Sequence, residues 1–246
     1  MKILFSPSET KHKGGKKIQI DKNSFIFPEL FEKRLEVINY YQEYIKKATN
    51  KELETIFGTK KEDIIEYYKI DIFSKELQKA ILRYDGVAYD YITYPSLDKK
   101  AQEYIDKNTI IFSNLFGPIL AGDIGLPDYK LQQNAKLGNF KIDRFYNEHF
   151  SSFLDKFLDS DDILDLRAGF YEKFYSIKKP YITMKFIKDG KVVSHWAKAY
   201  RGIVLKELAI NSIKSIDELM DLSIENLSIK EILKQKNKTE IIYNIV

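Results

Sequence analysis

The chain opens on an apolar run, Met1-Lys2-Ile3-Leu4-Phe5, that breaks at once into Ser6-Pro7-Ser8-Glu9-Thr10-Lys11-His12-Lys13-Gly14-Gly15. This reads as a buried strand emptying into a polar loop, the place where folds put chemistry. Leu30, Phe31, Leu35, Ile38, Tyr41 and Ile45 recur at helical spacing and predict a helix within 28–48. Thr49 with Glu52 is a capping box that opens a short helix over 50–57. Phe57-Gly58-Thr59-Lys60 is a tight break, after which Thr59 is placed to cap a helix to about Tyr68 and Ser74 a further one through Leu82. Tyr84-Asp85-Gly86-Val87-Ala88-Tyr89 reads as a turn feeding a short strand. A helix over 96–107 precedes the strongly apolar strand Thr109-Ile110-Ile111-Phe112-Ser113.

A turn-rich stretch runs from Asn114 through Gly117, Gly122 and Gly125 to Asp128-Tyr129. An amphipathic helix over 140–158 follows, then a buried strand at Ile163-Leu164-Asp165-Leu166. Residues 181–187 and 191–195 predict a hairpin joined at Asp189-Gly190. A helix begins near Ala197, residues 215–234 predict short helices, and Ile241-Ile242-Tyr243 a last strand. Helices and strands interleave without a composition shift. The expectation is therefore one α+β (α/β-like) domain over 1–246, with a mixed sheet flanked by helices.

Composition narrows the chemistry. With 246 residues, 44% hydrophobic and 31% charged, the chain can bury a sizeable core. It has no cysteine, which excludes disulfides, thiolate nucleophiles and cysteine-ligated zinc. No apolar stretch approaches the roughly 20 residues that span a bilayer, and the short N-terminal run is not a signal peptide. A cytoplasmic protein with no membrane partner is expected. The net charge of +4 leans mildly toward anionic partners. Only five of the 40 basic residues are arginine: Arg34, Arg83, Arg144, Arg167 and Arg201. The planar guanidinium offers a bidentate fork that lysine cannot copy. Arg83, Arg167 and Arg201 are therefore read either as anion clamps or as structural ion pairs.

Four predicted strands end in polar clusters: Ser6/Glu9/Lys11, Ser113/Asn114, Asp165/Arg167 and Ser194/His195/Lys198/Arg201. In sheets of this kind ligands sit at the carboxyl ends of strands. The clusters are expected to converge on one basic cleft. Ser6, Lys11, Arg167, Ser194, Lys198 and Arg201 would contact phosphate there, and Glu9, Asp85 and Asp165 would orient the cations. The alternative is a set of unrelated, solvated strand ends. His195 and Glu9 are the candidates for acid–base catalysis, although neighbours on a strand face apart and Ser194–His195 makes a poor nucleophile pair. His12, His149 and His195 lack metal-site spacing, so no metal and no cofactor is expected. Trp196, Tyr84, Tyr89 and Tyr171 are read as base-stacking or core aromatics. The helix–turn–helix around Gly58 and Lys60 is either a backbone-phosphate grip or an ordinary helical hairpin.

These segments resemble the YaaA family, the peroxide stress protein family. The resemblance is carried by Leu4-Phe5-Ser6-Pro7-Ser8-Glu9-Thr10-Lys11 with Gly14-Gly15, by Tyr84-Asp85-Gly86-Val87-Ala88-Tyr89, and by Phe112-Ser113-Asn114-Leu115-Phe116-Gly117. Asp165-Leu166-Arg167-Ala168-Gly169-Phe170-Tyr171 and Ser194-His195-Trp196-Ala197-Lys198-Ala199-Tyr200-Arg201-Gly202 complete it, so it spans residues 1 to about 220. It implies a cytoplasmic bacterial protein that protects against hydrogen peroxide. It also implies DNA binding through a positive cleft and a helix-hairpin-helix-like element around Phe57-Gly58-Thr59-Lys60. The chain departs from the pattern in lacking Gly-x-Gly at that turn. It also has Phe116 for the usual Tyr or Trp, Pro118-Ile119 for Arg-Pro, and Asp128-Tyr129-Lys130 for Pro-Tyr-Arg. A monomer that binds DNA by structure or backbone rather than by sequence is expected. The alternatives are an enzyme acting on a nucleotide or other phosphorylated molecule in the same cleft, and an interaction protein without ligand chemistry.

Overall fold

In the computed structural model the N-terminal apolar run, β1 (Lys2–Phe5), lies in the middle of the main sheet. The structure describes every residue except Val193; of Val192 and Ser194 only the backbone is described. After β1 the polar loop makes β2 (Thr10–Lys11), and the chain then enters three helices, α1 (Phe31–Lys47), α2 (Asn50–Phe57) and α3 (Glu62–Lys69). The capping box forms as its spacing predicts: Glu52 N–H donates to Thr49 Oγ1 and the Glu52 carboxylate accepts from Thr49 N–H at 2.8 Å. Thr59 does not cap α3. Its hydroxyl accepts from Lys61 N–H, and the helix starts after Lys61 without a side-chain cap.

The next stretch is more broken than its pattern predicts. Instead of a helix from Ser74 to Leu82, it forms β3 (Leu77–Gln78), the single turn α4 (Ala80–Arg83) and β4 (Tyr84–Asp85), followed by α5 (Val87–Ile92). Leu77 is drawn into pairing with a segment some 50 residues away, β7 (Leu126–Pro127), and local helix propensity loses to that contact. α6 (Lys99–Asn108) leads into β5 (Thr109–Ser113), all five residues of which are buried. The turn-rich stretch contains β6 (Gly117–Leu120) and β7, and then comes α7 (Ile142–Leu158).

β8 (Ile163–Asp165), β9 (Tyr181–Lys188), β10 (Lys191–Val192), α8 (Ser194–Ile210), α9 (Ile216–Asp221), β11 (Leu227–Gln235) and β12 (Lys238–Ile245) complete the chain. Two expectations fail here. The second strand does not reach 195: β10 covers Lys191–Val192 and α8 begins at Ser194, so Ser194 and His195 sit on the first turn of a helix. Residues 227–235 are not helical but pair with β12 as a hairpin, whose register supplies the hydrogen bonds that a polar, exposed segment cannot find alone.

The main sheet runs β11–β12–β9–β8–β1–β5–β6, with β10 added to β9. β12, β9, β8, β1 and β5 are parallel, and β6 and β11 are antiparallel edges. Helices and strands form one α+β unit around a shared core that includes Ile3, Leu4, Ile111, Phe150, Leu164 and Leu205. Parallel order places the carboxyl ends of β1 and β8 side by side, and Leu166 N–H donates to Leu4 O at 2.9 Å. No helix among the described residues is long and apolar enough to cross a membrane.

Candidate functional site

A cleft of about 360 Å³ opens where β1 and β8 end. One wall is the 6–10 loop, anchored by Ala168 N–H donating to Ser6 Oγ at 2.8 Å and by Tyr89 Oη donating to Ser6 O at 2.9 Å. Another wall is α8, whose Lys198 and Arg201 lie three residues apart and so share a helix face. The start of α5, with Tyr171 and Gln133, closes the remaining sides. Gly202 lets α8 approach α5, because a Cβ there would overlap the carbonyl of Ala88.

Glu9 is the cleft's carboxylate. Gln133 N–H donates to its Oε1 at 3.0 Å, and the Gln132 amide, oriented as a donor, lies 2.9 and 2.7 Å from its two oxygens. Gln132 also packs on Gly58, where any Cβ would collide with it; Gly58 holds φ +61, a conformation suited to glycine. The turn at Gly58 and the cleft thus share one side chain. At that turn the N–H groups of Gly58 and Thr59 both return to Glu54 O, and that of Lys61 goes to Thr59 Oγ1. The Lys60 side chain is exposed beside them.

The cations meet different fates. Arg201 is half-buried against the cleft and makes no hydrogen bond or ion pair among the described residues. Burial lowers its pKa, with nearby Asp165 opposing the shift. Arg167 does not reach the cleft. It is 5% exposed and grips Asp165 through one guanidinium edge, Nε and Nη2, at 2.9 and 2.8 Å. Its remaining nitrogen donates to Tyr171 O and Tyr175 O. Arg83 is buried on the carbonyls of His12, Gly14, Glu76 and Leu126, which closes the Gly14-Gly15 loop from behind. Arg34, which sequence reasoning left unassigned, is buried on the carbonyls of Ile26, Phe116 and Pro118.

Lys11 is also withdrawn from the cleft. It is 8% exposed, donates to Ser8 O and Glu9 O at 3.3 Å, and lies 4.0 Å from the centre of the Tyr129 ring. Burial pushes its pKa down to about 7, with Asp128 opposing. It supports the loop that carries Glu9 from beneath. Behind it Asp128 accepts from Tyr67 and Tyr68 at 3.0 and 3.2 Å, and Lys75 donates to the Asp128 carbonyl at 3.0 Å. No local pattern announces this cluster, because its members come from α3, the β3 approach and the turn-rich stretch.

Of the four polar clusters, Ser6/Glu9 and Lys198/Arg201 line the same cleft, whereas Asp165/Arg167 lies outside its lining. Ser113 is buried on Tyr129 at 2.7 Å. Asp85 pairs by backbone with Thr10 outside the cleft lining and lies 3.8 Å from the His12 ring. His195 is exposed and outside the lining. The side chain of Ser194 lies outside the described residues. Tyr89 and Tyr171 line the cleft, whereas Trp196 packs near Tyr200 at 6.2 Å. Gln132 and Gln133, the partners of Glu9, went unnoticed in the sequence; a glutamine pair inside a turn-rich run carries no signal of its own.

Comparison with known proteins bears on the chain as a whole. A family model described as peroxide stress protein YaaA matches residues 1–233. An uncharacterized protein of Campylobacter jejuni is 52% identical over 246 residues, all of both chains. A UPF0246 protein of Fusobacterium nucleatum is 27% identical over 251 aligned positions, covering 96% of this chain and 97% of the relative. One from Corynebacterium glutamicum is 30% identical over 225, covering 86% of each.

Proposed function

The chain belongs to the YaaA peroxide stress protein family, and from that membership we propose that it is a cytoplasmic DNA-binding protein of the peroxide response that holds nucleic-acid phosphates between the 6–10 loop and α8. The observation that carries this reading is Arg201. A half-buried guanidinium without a protein partner has lost part of its hydration and gained nothing in return, unless an anion supplies the bidentate contact. Lys198 adds a second positive charge one helical turn away, and Lys60 an exposed one at the Gly58 turn. Contacts of this kind recognise the backbone and leave sequence unread.

Binding should therefore weaken linearly on a log–log scale with salt, by about 0.9 per phosphate contacted on duplex DNA. Replacing Arg201 by glutamine should remove close to one such increment from the slope. An affinity indifferent to salt, or a slope unchanged by R201Q, contradicts the reading.

Glu9 favours a second reading, an enzyme acting on a nucleotide or similar phosphorylated molecule. A carboxylate fixed by Gln132 and Gln133 in a cleft that two cations also line is placed for acid–base work. His195 lies outside this constellation. Thermal stabilisation by mononucleotides but not by duplex DNA, and its loss in Glu9→Gln, would favour the enzyme.

A further inference from the structure

A second cavity, of about 490 Å³, adjoins the first. The two share their dividing segments. Gln133 and Tyr171 line the first cavity; their chain neighbours Gln132, Asn134 and Phe170 line the second. Three lysines face this second space: Lys136, Lys141 and Lys173. All three are exposed, and none makes a side-chain hydrogen bond or ion pair among the described residues. Asp143 is the lining's single carboxylate, so the balance is positive.

Its other features also point to a ligand. α7, seventeen residues long, begins on this rim after Lys141 without a side-chain cap, which leaves donors at the positive end of its dipole. Asn114 belongs to the floor, 7% exposed, and its amide donates to Leu131 O at 3.0 Å; its Oδ1 is enclosed and does not open on the cavity. Phe170 presents a half-buried ring beside Tyr171 (centroids 5.1 Å apart), with Lys173 Nζ 5.1 Å from its centre. An aromatic face next to free ammonium groups is how proteins hold an unstacked base and its phosphate. A base can reach such a ring only when it is free of a duplex stack.

We propose that this second cavity is a nucleotide subsite continuous with the first: it takes the neighbouring base and phosphate of a single strand whose first phosphate lies at Arg201. The base stacks on Phe170, and its phosphate sits among Lys136, Lys141 and Lys173. This inference rests on the reading of the Arg201 cleft as a nucleic-acid site.

The test uses the full chain, fluorescently labelled eight-residue oligothymidylate, and thymidine monophosphate. The variants are Arg201→Gln, the triple variant K136Q/K141Q/K173Q, and Phe170→Leu. The triple variant should bind the oligonucleotide about tenfold or more weakly, with a salt slope reduced by about 0.7 for each phosphate that the lysines no longer neutralise. It should weaken monophosphate binding less than oligonucleotide binding, because the Arg201 cleft still receives a phosphate. Phe170→Leu should weaken oligonucleotide binding about fivefold or more. Arg201→Gln should weaken both ligands. If the triple variant keeps the oligonucleotide affinity and slope while Arg201→Gln loses them, the second subsite is overturned and the cleft reading stands. If neither variant changes binding, both fall. If only the triple variant does, the continuous strand is overturned.

Discussion

Arg167 and Arg201 stand on either side of Asp165 and behave in opposite ways. Arg167 has its donors satisfied within the protein, by one carboxylate and two carbonyls. Arg201 is half-buried near the same carboxylate and is bonded to nothing among the described residues. The first is a brace, and the second keeps its donors uncommitted among the described residues. Burial of a cation therefore says little by itself about function; what matters is whether its donors are already satisfied. Arg34 and Arg83 fall with Arg167, because each ties distant carbonyls together. Lys11 is intermediate: it is held by two carbonyls and two tyrosine rings, but faces no carboxylate at bonding distance.

The contrast is most sharply broken by Arg167→Met. That change leaves Asp165 buried without its partner and should cost about 3–5 kcal/mol in chemical denaturation. A loss below about 1 kcal/mol would mean that the pair is not a brace.

Next comes the pH dependence set by Lys11, whose folded pKa of about 7 lies below the ordinary value of 10.5. Between those values the unfolded chain binds the extra proton, so stability should rise as pH increases from about 7 to 9, by at most about 1.4 kcal/mol per pH unit. Above that range the buried tyrosines oppose the trend. Burial raises the pKa of groups such as Tyr84 and Tyr129, so the unfolded chain ionises first. In Lys11→Met the rise between pH 7 and 8 should be lost, leaving above pH 8 the part due to Lys75, whose pKa burial lowers to about 8; melting curves at pH 7, 8 and 9 check both statements.

The smallest expected effect on stability belongs to Arg201→Gln. Removing an unpartnered, desolvated charge should leave the denaturation midpoint within about 0.5 kcal/mol of the original or slightly above it. Destabilisation on the scale of Arg167→Met would reveal a bonded role and erase the distinction.

What was legible in the sequence follows from how far each feature depends on remote partners. β1 and β5 are continuous apolar runs, and the Thr49–Glu52 box is complete within four residues, so each reads directly. The convergence of the 6–10 loop with Lys198 and Arg201 followed from the rule for strand ends, although α8, not a strand, delivers the second pair. The fates of the arginines were not legible. Arg34 is satisfied by carbonyls at Phe116 and Pro118, and Arg83 by one at Leu126. A backbone carbonyl has no residue type to signal it. Glu9 was visible as a cleft residue, but its holders Gln132 and Gln133 lie more than 120 positions along the chain, in a stretch between Tyr129 and the 140–158 helix to which the pattern assigned no element.

The close approach of Gly202 to Ala88 has a kinetic consequence. Where two helices meet without an intervening side chain, they leave no slack for one to swing against the other. On that side the backbone that carries Arg201 is held in place. If an anion binds there as proposed, its capture should need no hinge closure, and its rate should follow diffusion and long-range charge attraction rather than a gating motion.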